Sequence, residues 1–363
     1  MSGPHRQPTI LALDGIRAAA CLAVVLGHAG YQGFTFVLSG LATFGVMLFF
    51  ALSGFLMAYH YLPERFSLRY WVSFLTHRFI RVYPPFCVAL VGYWLVRPHL
   101  PADFPMGNGQ PVWDELRKGW LLMDGRGIFW TVPVEISFYF FYPLLATLVT
   151  LTRKLGVTLL TLSGLLMVLA GFKVFVFRDW AYLSHFSLFL CGVMASVAIR
   201  QLRDSRPRSP MFWSRLTAGM LALLFPLVLM DALIKISNQQ IWVCALYLGP
   251  MIGAFLLGIA QPQHGMGLLV SKLLSHPAMR WLGHVSYSIY LIHFFVITAV
   301  RVYSPWYLKH LLTVSVAVVL VAVIFFHLVE QPFTRLAKWS GGKIRGVRSS
   351  TSVDGARHGR RGP

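Results

Sequence analysis

The sequence predicts an all-α fold, a polytopic membrane bundle of about ten transmembrane helices. Of its 363 residues, 56% are hydrophobic and only 12% are charged, and the mean hydropathy is +0.64. Soluble domains carry about twice that charged fraction. The apolar residues also form runs of the length that crosses a bilayer, about 17–25 residues. The basic residues fall mainly in the gaps between those runs and in the C-terminal tail.

The positive-inside rule supports this arrangement of spans. The predicted spans cover roughly 10–30, 35–60, 82–97, 129–150, 156–176, 181–200, 213–235, 240–260, 283–303 and 308–329. With both termini cytoplasmic, 22 Lys and Arg side chains fall inside and nine outside, and Arg17 lies within the first span. We therefore expect a multipass protein of the plasma (inner) membrane with both ends in the cytoplasm.

The formal charge of +20 would indicate a nucleic-acid partner in a soluble protein. Here the charge follows the loops, so membrane topology explains it and we expect no nucleic acid. Anionic membrane lipids are the expected surface partners. The four cysteines lie within apolar spans without metal or redox spacing, and the histidines show no metal-ligand spacing either. We expect no metal and no disulfide framework.

Three segments outside the spans carry their own signals. The outer gap 98–128 mixes Pro, Gly, Asp and Trp and is too short for an independent core, so it predicts a lid or a short interfacial helix. Pro332 follows the last span and is expected to end that helix. Residues 1–340 therefore form one integral membrane domain, and the basic tail 341–363 is expected to be disordered.

The first span carries ionisable residues at positions that a lipid-facing helix would avoid. Asp14, Arg17 and His28 all lie within it, and intramembrane ionisable groups are functional candidates. Arg17 and His28 are eleven residues apart, about three helical turns, so both project from one face about 16 Å apart. One helix face thus presents a cation at one depth and an imidazole at another.

Glu135 in the fourth span is a candidate partner of His28. The first span ascends and the fourth descends, so the outer half of one and the start of the other share a depth. A carboxylate beside a neutral imidazole is a common arrangement for a general base. The alternative is that the two residues are hydrogen-bonding partners that hold helices together.

Three arginines are expected near the inner face: Arg17, Arg78 and Arg81. Their guanidinium groups have the planar geometry that suits phosphate oxygens. With a base about 16 Å deeper, a group of three arginines near the inner face suits a long phosphorylated donor. Coenzyme A thioesters have that shape. The alternative for Arg78 and Arg81 is that they snorkel to lipid phosphates.

Further polar residues fit a packed interior and are weaker candidates for a substrate pocket, as is Asp14. Ser53 lies beside Gly54 in the second span, a small pair that allows close helix approach. Tyr287, Tyr290 and His293 recur at spacings of three in the ninth span, which places them on one side of a helix. Helix packing alone is the alternative explanation for each group.

Six blocks in order give the chain a specific resemblance. They are LDGIR followed by His28, FFALSGF, RFIRVYPPF, WTVPVEISFYFFYPLL, LGHVSYSIYLIH and VEQPF, over residues 11–333. The chain resembles the acyltransferase 3 family of integral membrane acyltransferases. That resemblance implies a ten-helix enzyme that uses cytoplasmic acyl-CoA, most often acetyl-CoA, as co-substrate to O-acylate a carbohydrate-containing acceptor, without a bound cofactor.

The family's motifs map onto individual residues here. Its Arg-x10-His pattern falls on Arg17 and His28, its RxxR on Arg78 and Arg81, and its fourth-span Glu on Glu135. Many members have Glu-Gln after that Glu, whereas this chain has Ile-Ser. The departure weakens any role that requires a second carboxylate.

The sequence therefore predicts a membrane O-acetyltransferase with His28 as the base or transient acyl carrier. Glu135 is expected to orient His28, and the three arginines to bind donor phosphates. The expected acceptor is a cell-surface or exported polysaccharide or its lipid-linked precursor. A small glycoside such as a macrolide sugar is the alternative acceptor, and a proton-coupled transporter or flippase is the alternative class. The oligomeric state is left open.

The topology can be tested by cysteine labelling in intact cells, on a background without the native cysteines. An impermeant thiol reagent should label Gly109→Cys and spare Ser205→Cys and Ser350→Cys, because the charge asymmetry puts the latter two inside. Permeabilised cells provide the control, since all three should then react. Labelling of Ser205→Cys in intact cells would contradict the topology.

Overall fold

The computed structural model describes most of the membrane domain. The described residues are 9–31, 40–62, 67–99, 113–123, 127–152, 157–158, 161–165, 181–202, 208–234, 237–303 and 310–339. Within these ranges the regular structure is helical and contains no strand. The predicted all-α bundle is thus confirmed. Most of the predicted fifth span, 156–176, and the whole tail 341–363 lie outside the described residues.

The described residues include eleven α-helices, in chain order. They are α1 Ala12–Tyr31, α2 Leu41–Tyr61, α3 Leu68–Val96, α4 Trp113–Trp120, α5 Thr131–Leu151, α6 Ala181–Leu202, α7 Pro210–Ile234, α8 Ser237–Ile259, α9 Gly265–Leu274, α10 Pro277–Tyr303 and α11 Leu311–Phe325. Short 3-10 turns cover Arg97–His99 and Gly127–Trp130. A π turn at Phe326–Glu330 continues α11 into a final helix over 331–339.

Among the described residues, eight helices are long and apolar enough to cross a membrane. They correspond to the predicted spans other than the fifth and the eighth. The eighth is a helix in the structure, α8, of which Tyr247–Ile259 qualifies as a shorter apolar helix. The chain is a multipass helical membrane protein, and the full count of ten stays a prediction.

Helix α3 starts earlier than the hydrophobicity predicted. It begins at Leu68, fourteen residues before the predicted boundary, because residues 68–81 form an amphipathic extension that buries Trp71 and Phe74. The helix also continues through Pro84 and Pro85, as transmembrane helices often do. Arg78 and Arg81 therefore lie well inside a helix, one turn apart, rather than at its entrance.

The prediction that Pro332 ends the last helix is wrong. The helix continues to Trp339, and the π turn Phe326–Glu330 lies directly before the proline. A π turn widens the backbone ladder, so the missing N–H of Pro332 is tolerated there. The wider turn also directs Glu330 inward, where its side chain is buried.

Close packing between α2 and α6 depends on two glycines that face each other's backbones. A Cβ on Gly54 would lie 2.1 Å from the carbonyl oxygen of Phe189, and one on Gly192 would lie 1.8 Å from that of Ala51. Small residues permit this backbone approach in membrane bundles. The expected packing role of the glycine in FFALSGF is thus confirmed.

The segment 98–128 contains a short helix, α4, that packs on the C-terminal half of α3. Leu116 and Gly119 form its buried side. The carbonyl of Trp120 accepts a hydrogen bond from the hydroxyl of Tyr83 at 2.6 Å, and the rings of Trp94 and Trp113 are 4.6 Å apart. The predicted short helix is present at 113–120.

We predict that Gly192→Ala destabilises the bundle by at least the cost of overpacking, about 1–3 kcal/mol, because the new methyl group would clash with a backbone carbonyl that cannot rotate away. Thermal unfolding in detergent measures the change. Gly219→Ala is the matched control, since nothing lies within 4 Å of a Cβ there. That control should be neutral or gain up to about 1 kcal/mol. Equal stability of the two variants would refute the packing argument.

Candidate active site

A cavity of about 120 Å³ lies where α1, α2, α3, α5, α10 and the π turn meet. One part of its wall is aromatic and aliphatic, including Phe49, Phe50 and Leu56. The remainder is polar: Arg17, Ser53, Arg78, Arg81, Thr131, Glu135, Tyr139, His284, Ser286, Tyr287, Tyr290 and Glu330. Three cations and two carboxylates therefore share one pocket within a membrane bundle.

The three predicted arginines meet at this cavity, although they come from two helices. Arg17 on α1 forms an ion pair with Asp14, one turn before it, at 3.1 Å. Arg78 and Arg81 on α3 face the same space, and all three guanidinium groups are close enough to repel one another. Asp14 itself does not line the cavity, so its predicted pocket role becomes that of a partner to Arg17.

Arg78 is held by aromatic rings. Its guanidinium carbon lies 5.3 Å from the ring centroid of Tyr61, 5.9 Å from that of Phe74 and 5.6 Å from that of Tyr139. These are cation–π distances, and they fix the position of the side chain without neutralising its charge. Its Nε atom is buried and has no hydrogen-bond partner in the structure.

Glu135 receives its hydrogen bonds from two neutral hydroxyls. The hydroxyl of Ser53 donates to its Oε1 at 3.1 Å, and that of Tyr139, one turn further along α5, donates to the same oxygen at 2.6 Å. Among the described residues, no arginine lies within 4 Å of this carboxylate. The predicted residues Glu135 and Ser53 are thus brought together.

Glu330 is the second carboxylate of the cavity, and only 2% of it is exposed. The backbone N–H of Ser288 donates to its Oε2 at 3.1 Å, and the Ser288 hydroxyl donates to the same atom at 2.6 Å. Hydrogen bonds of this kind compensate part of the cost of burying a carboxylate. The hydrogen bonds to Glu330 therefore come from a serine on α10.

His28 lies outside the cavity and pairs with a second histidine. Its Nδ1 is 2.9 Å from Nε2 of His293, and Nδ1 of His293 is 2.7 Å from the carbonyl oxygen of Tyr290. The ring of Phe294 packs edge-on against His28 at 5.3 Å. Glu135 is the partner that the sequence predicts for His28, whereas in the structure the hydrogen-bonding partner is His293, because α10 packs directly on α1 at this depth.

Tyr287 and Tyr290 line the cavity, as the spacing on α10 predicted. The hydroxyl of Tyr287 donates to the carbonyl of Val82 at 2.8 Å. The hydroxyl of Tyr290 donates to the carbonyl of Ile128 at 2.5 Å and accepts from Thr131 at 2.8 Å. The Tyr290 ring is also 5.8 Å from that of His293. It therefore lies between the cavity and the histidine pair.

The candidates predicted from the sequence did not include Tyr139 or Thr131, and no sequence pattern indicated that Glu330 lies in the pocket. Tyr139 had a detectable signal, since it follows Glu135 by four residues and so shares its helix face. The approach of Thr131 and Glu330 depends on helix packing and on the π turn, which no sequence pattern indicated. Among the described residues, no three His, Cys, Asp or Glu side chains form a group that could hold a metal ion.

Comparison with known proteins gives a consistent result over most of the chain. A family model described as an acyltransferase domain matches residues 10–329. Proteins provisionally named as O-acetyltransferases from Staphylococcus aureus strains COL, MSSA476 and MRSA252 are each 23% identical over 361 residues. The match covers 89% of this chain and 57% of each relative, so the chain spans little more than half their length. No solved structure matches it.

Proposed function

The chain belongs to the acyltransferase-domain family, and from that premise we propose that it moves an acetyl group from cytoplasmic acetyl-CoA to a hydroxyl of a carbohydrate acceptor. The proposed acceptor is a cell-surface or exported polysaccharide or its lipid-linked precursor, and the proposed location is the plasma (inner) membrane. The names of the related proteins support O-acetyl transfer. The observation that carries the proposal is the group of three guanidinium groups at the cavity, of which Arg17 alone has an ion-pair partner within 4 Å among the described residues.

The charges of the cavity favour an anionic ligand. Arg17 pairs with Asp14, whereas Glu135 and Glu330 accept hydrogen bonds from hydroxyl and backbone donors and not from arginines. Among the described residues, Arg78 and Arg81 have no carboxylate within 4 Å. Both side chains are partly buried, so a phosphate group that reached them would gain strong, charge-assisted hydrogen bonds.

We assign the donor phosphates to this arginine group and the reaction to His28. The pantetheine arm of coenzyme A would extend past Tyr290 toward the histidine pair. Glu135 would act indirectly: it accepts the hydrogen bond of Tyr139, whose ring packs on Arg78, so it would hold the aromatic contacts of a donor-binding arginine.

In direct transfer, His28 takes the proton of the acceptor hydroxyl while the oxygen of that hydroxyl attacks the thioester carbonyl. The C–O bond forms, the C–S bond breaks, and the departing thiolate takes the proton from the imidazolium. In the two-step alternative, His28 attacks the thioester carbonyl, the C–S bond breaks and the thiolate leaves. The acceptor oxygen then attacks the acetyl carbon, the C–N bond to His28 breaks, and the hydroxyl proton passes to the thiolate. Both routes require the imidazole in its neutral form.

For donor binding, we predict that Arg81→Gln weakens the affinity for acetyl-CoA by about ten- to hundredfold, the loss expected for one charge-assisted contact of roughly 1.5–3 kcal/mol. Isothermal calorimetry measures the affinity, and initial rates should show a raised KM for acetyl-CoA with little change for the acceptor. Arg69→Gln is the matched control, because Arg69 lies on the same helix but is exposed. Unaltered acetyl-CoA binding by Arg17→Ala, Arg78→Ala and Arg81→Ala would exclude the arginine site.

For the chemistry, we predict that His28→Ala removes acetyl transfer but keeps acetyl-CoA binding, because general-base catalysis contributes about 10²–10⁴-fold to a rate. Mass spectrometry of surface glycans from a deletion strain, complemented with each variant, reports the loss of acetyl groups. The control is His310→Ala, an exposed histidine at the start of α11. Full acetylation in the His28→Ala strain would remove His28 from the mechanism.

A further inference from the structure

Two hydrogen bonds join His28 to the backbone of α10 through a second imidazole. They run from His28 Nδ1 to His293 Nε2 at 2.9 Å and from His293 Nδ1 to the carbonyl oxygen of Tyr290 at 2.7 Å. We propose that His293 is a positioning residue that fixes the tautomer of His28 so that its Nε2 is the reacting nitrogen. This inference rests on the proposed acetyl transfer.

The positions of the protons follow from the last member of the chain. A carbonyl oxygen can only accept a hydrogen bond, so the proton between His293 and Tyr290 belongs to His293 Nδ1. A neutral imidazole has one N–H, so His293 Nε2 carries a lone pair and acts as an acceptor. The proton between the two histidines must then lie on His28 Nδ1. The other ring nitrogen of His28, Nε2, is left with the lone pair.

Burial favours the neutral form of His293 that this chain of bonds requires. The residue is completely buried, and its ring lies 6.1 Å from that of Phe294 and 5.8 Å from that of Tyr290. Its Nδ1 partner is a carbonyl and not a carboxylate, and an unpaired charge in such surroundings is costly. His28 is only partly buried, and its side-chain partner His293 contacts Nδ1, so Nε2 lies on the other edge of the ring from that contact.

His293 would orient His28 without exchanging a proton itself. When His28 Nε2 takes the proton of the acceptor hydroxyl, His28 Nδ1 keeps its own proton and donates it more strongly to His293. When the leaving thiolate takes the proton back, His28 returns to its starting tautomer. In the two-step route the same nitrogen attacks the thioester and carries the acetyl group, so both routes depend on this tautomer.

The role differs from that of a carboxylate partner, because His293 supplies a neutral dipole. It sets the direction and the tautomer of the ring but adds no negative charge to stabilise the imidazolium. Loss of His293 should therefore lower kcat and leave the KM for acetyl-CoA nearly unchanged, since the arginine site lies elsewhere. A residue that only lined the acceptor pocket would instead raise the KM for the acceptor.

Two isosteric substitutions separate positioning from packing. The amide oxygen of His293→Gln reaches about as far as Nε2 of histidine and can accept from His28, whereas His293→Asn reaches only as far as Nδ1. We expect His293→Ala and His293→Asn to lose about a hundredfold or more in kcat, and His293→Gln to recover at least about tenfold of that loss. The KM for acetyl-CoA should stay within about twofold in all three.

Nitrogen-15 NMR on ring-labelled parent protein in detergent tests the tautomer directly, because the spectrum that decides it is that of the unsubstituted protein. His28→Ala and His293→Ala assign the signals, and the expected spectrum shows a protonated Nδ1 and an unprotonated Nε2 for His28. The opposite tautomer, or a His293→Gln variant no faster than His293→Asn, overturns the inference. If His28→Ala is as active as the parent, the proposed function fails instead. If His28→Ala is inactive and all His293 variants are fully active, only the positioning role fails.

Discussion

The parallel packing of α1 against α10 determines the geometry of the whole site. The two helices contact each other at three levels in the same order: Gly283 against the Asp14 backbone, Cys21 bonded to the Ser286 carbonyl, and His28 bonded to His293. At the first level a Cβ on Gly283 would lie only 2.1 Å from the carbonyl oxygen of Asp14. Because that approach is so close, the face of α1 that carries Arg17 and His28 meets the face of α10 that carries two tyrosines and His293.

A membrane bundle must satisfy its buried polar groups internally. Here the polar groups around the cavity and those around the two histidines are satisfied by different kinds of partner. Around the cavity, serine and tyrosine hydroxyls and one backbone N–H donate hydrogen bonds to Glu135 and Glu330, so neither carboxylate forms an ion pair with Arg78 or Arg81. Around the histidines, the partner is a backbone carbonyl and the rings are enclosed by aromatic side chains. An anion-binding region and a region for proton or acyl transfer can therefore coexist a few turns apart on the same helix.

Tyr290 connects these two regions. Its hydroxyl lies at the cavity wall, bonded to Thr131 and the carbonyl of Ile128, while its own carbonyl accepts the hydrogen bond of His293. The side chain and the backbone of one residue thus contribute to different parts of the site. A donor that reaches from the arginines to His28 must pass this residue, so the proposed acetyl transfer requires the hydroxyl contacts of Tyr290 to yield to the ligand.

Periodicity and composition were sufficient to predict the existence of the described transmembrane helices and the small residues at close contacts, because these features depend on neighbours a few residues apart. They did not give the start of α3 or the end of the last helix. The meeting of Arg17 with Arg78 and Arg81 could be predicted from depth alone, since all three were expected at the inner face. The partner of His28 could not be predicted from depth. Glu135 and His293 lie at compatible depths, and only the rotation and packing of α5 and α10 decide which one approaches His28. The π turn that buries Glu330 likewise has no local sequence signal. The sequence by itself determined which chemical groups enter the membrane and at what depth, whereas the tertiary structure decided which of them touch, because helix rotation and interhelical distance are set by side-chain packing over the whole bundle.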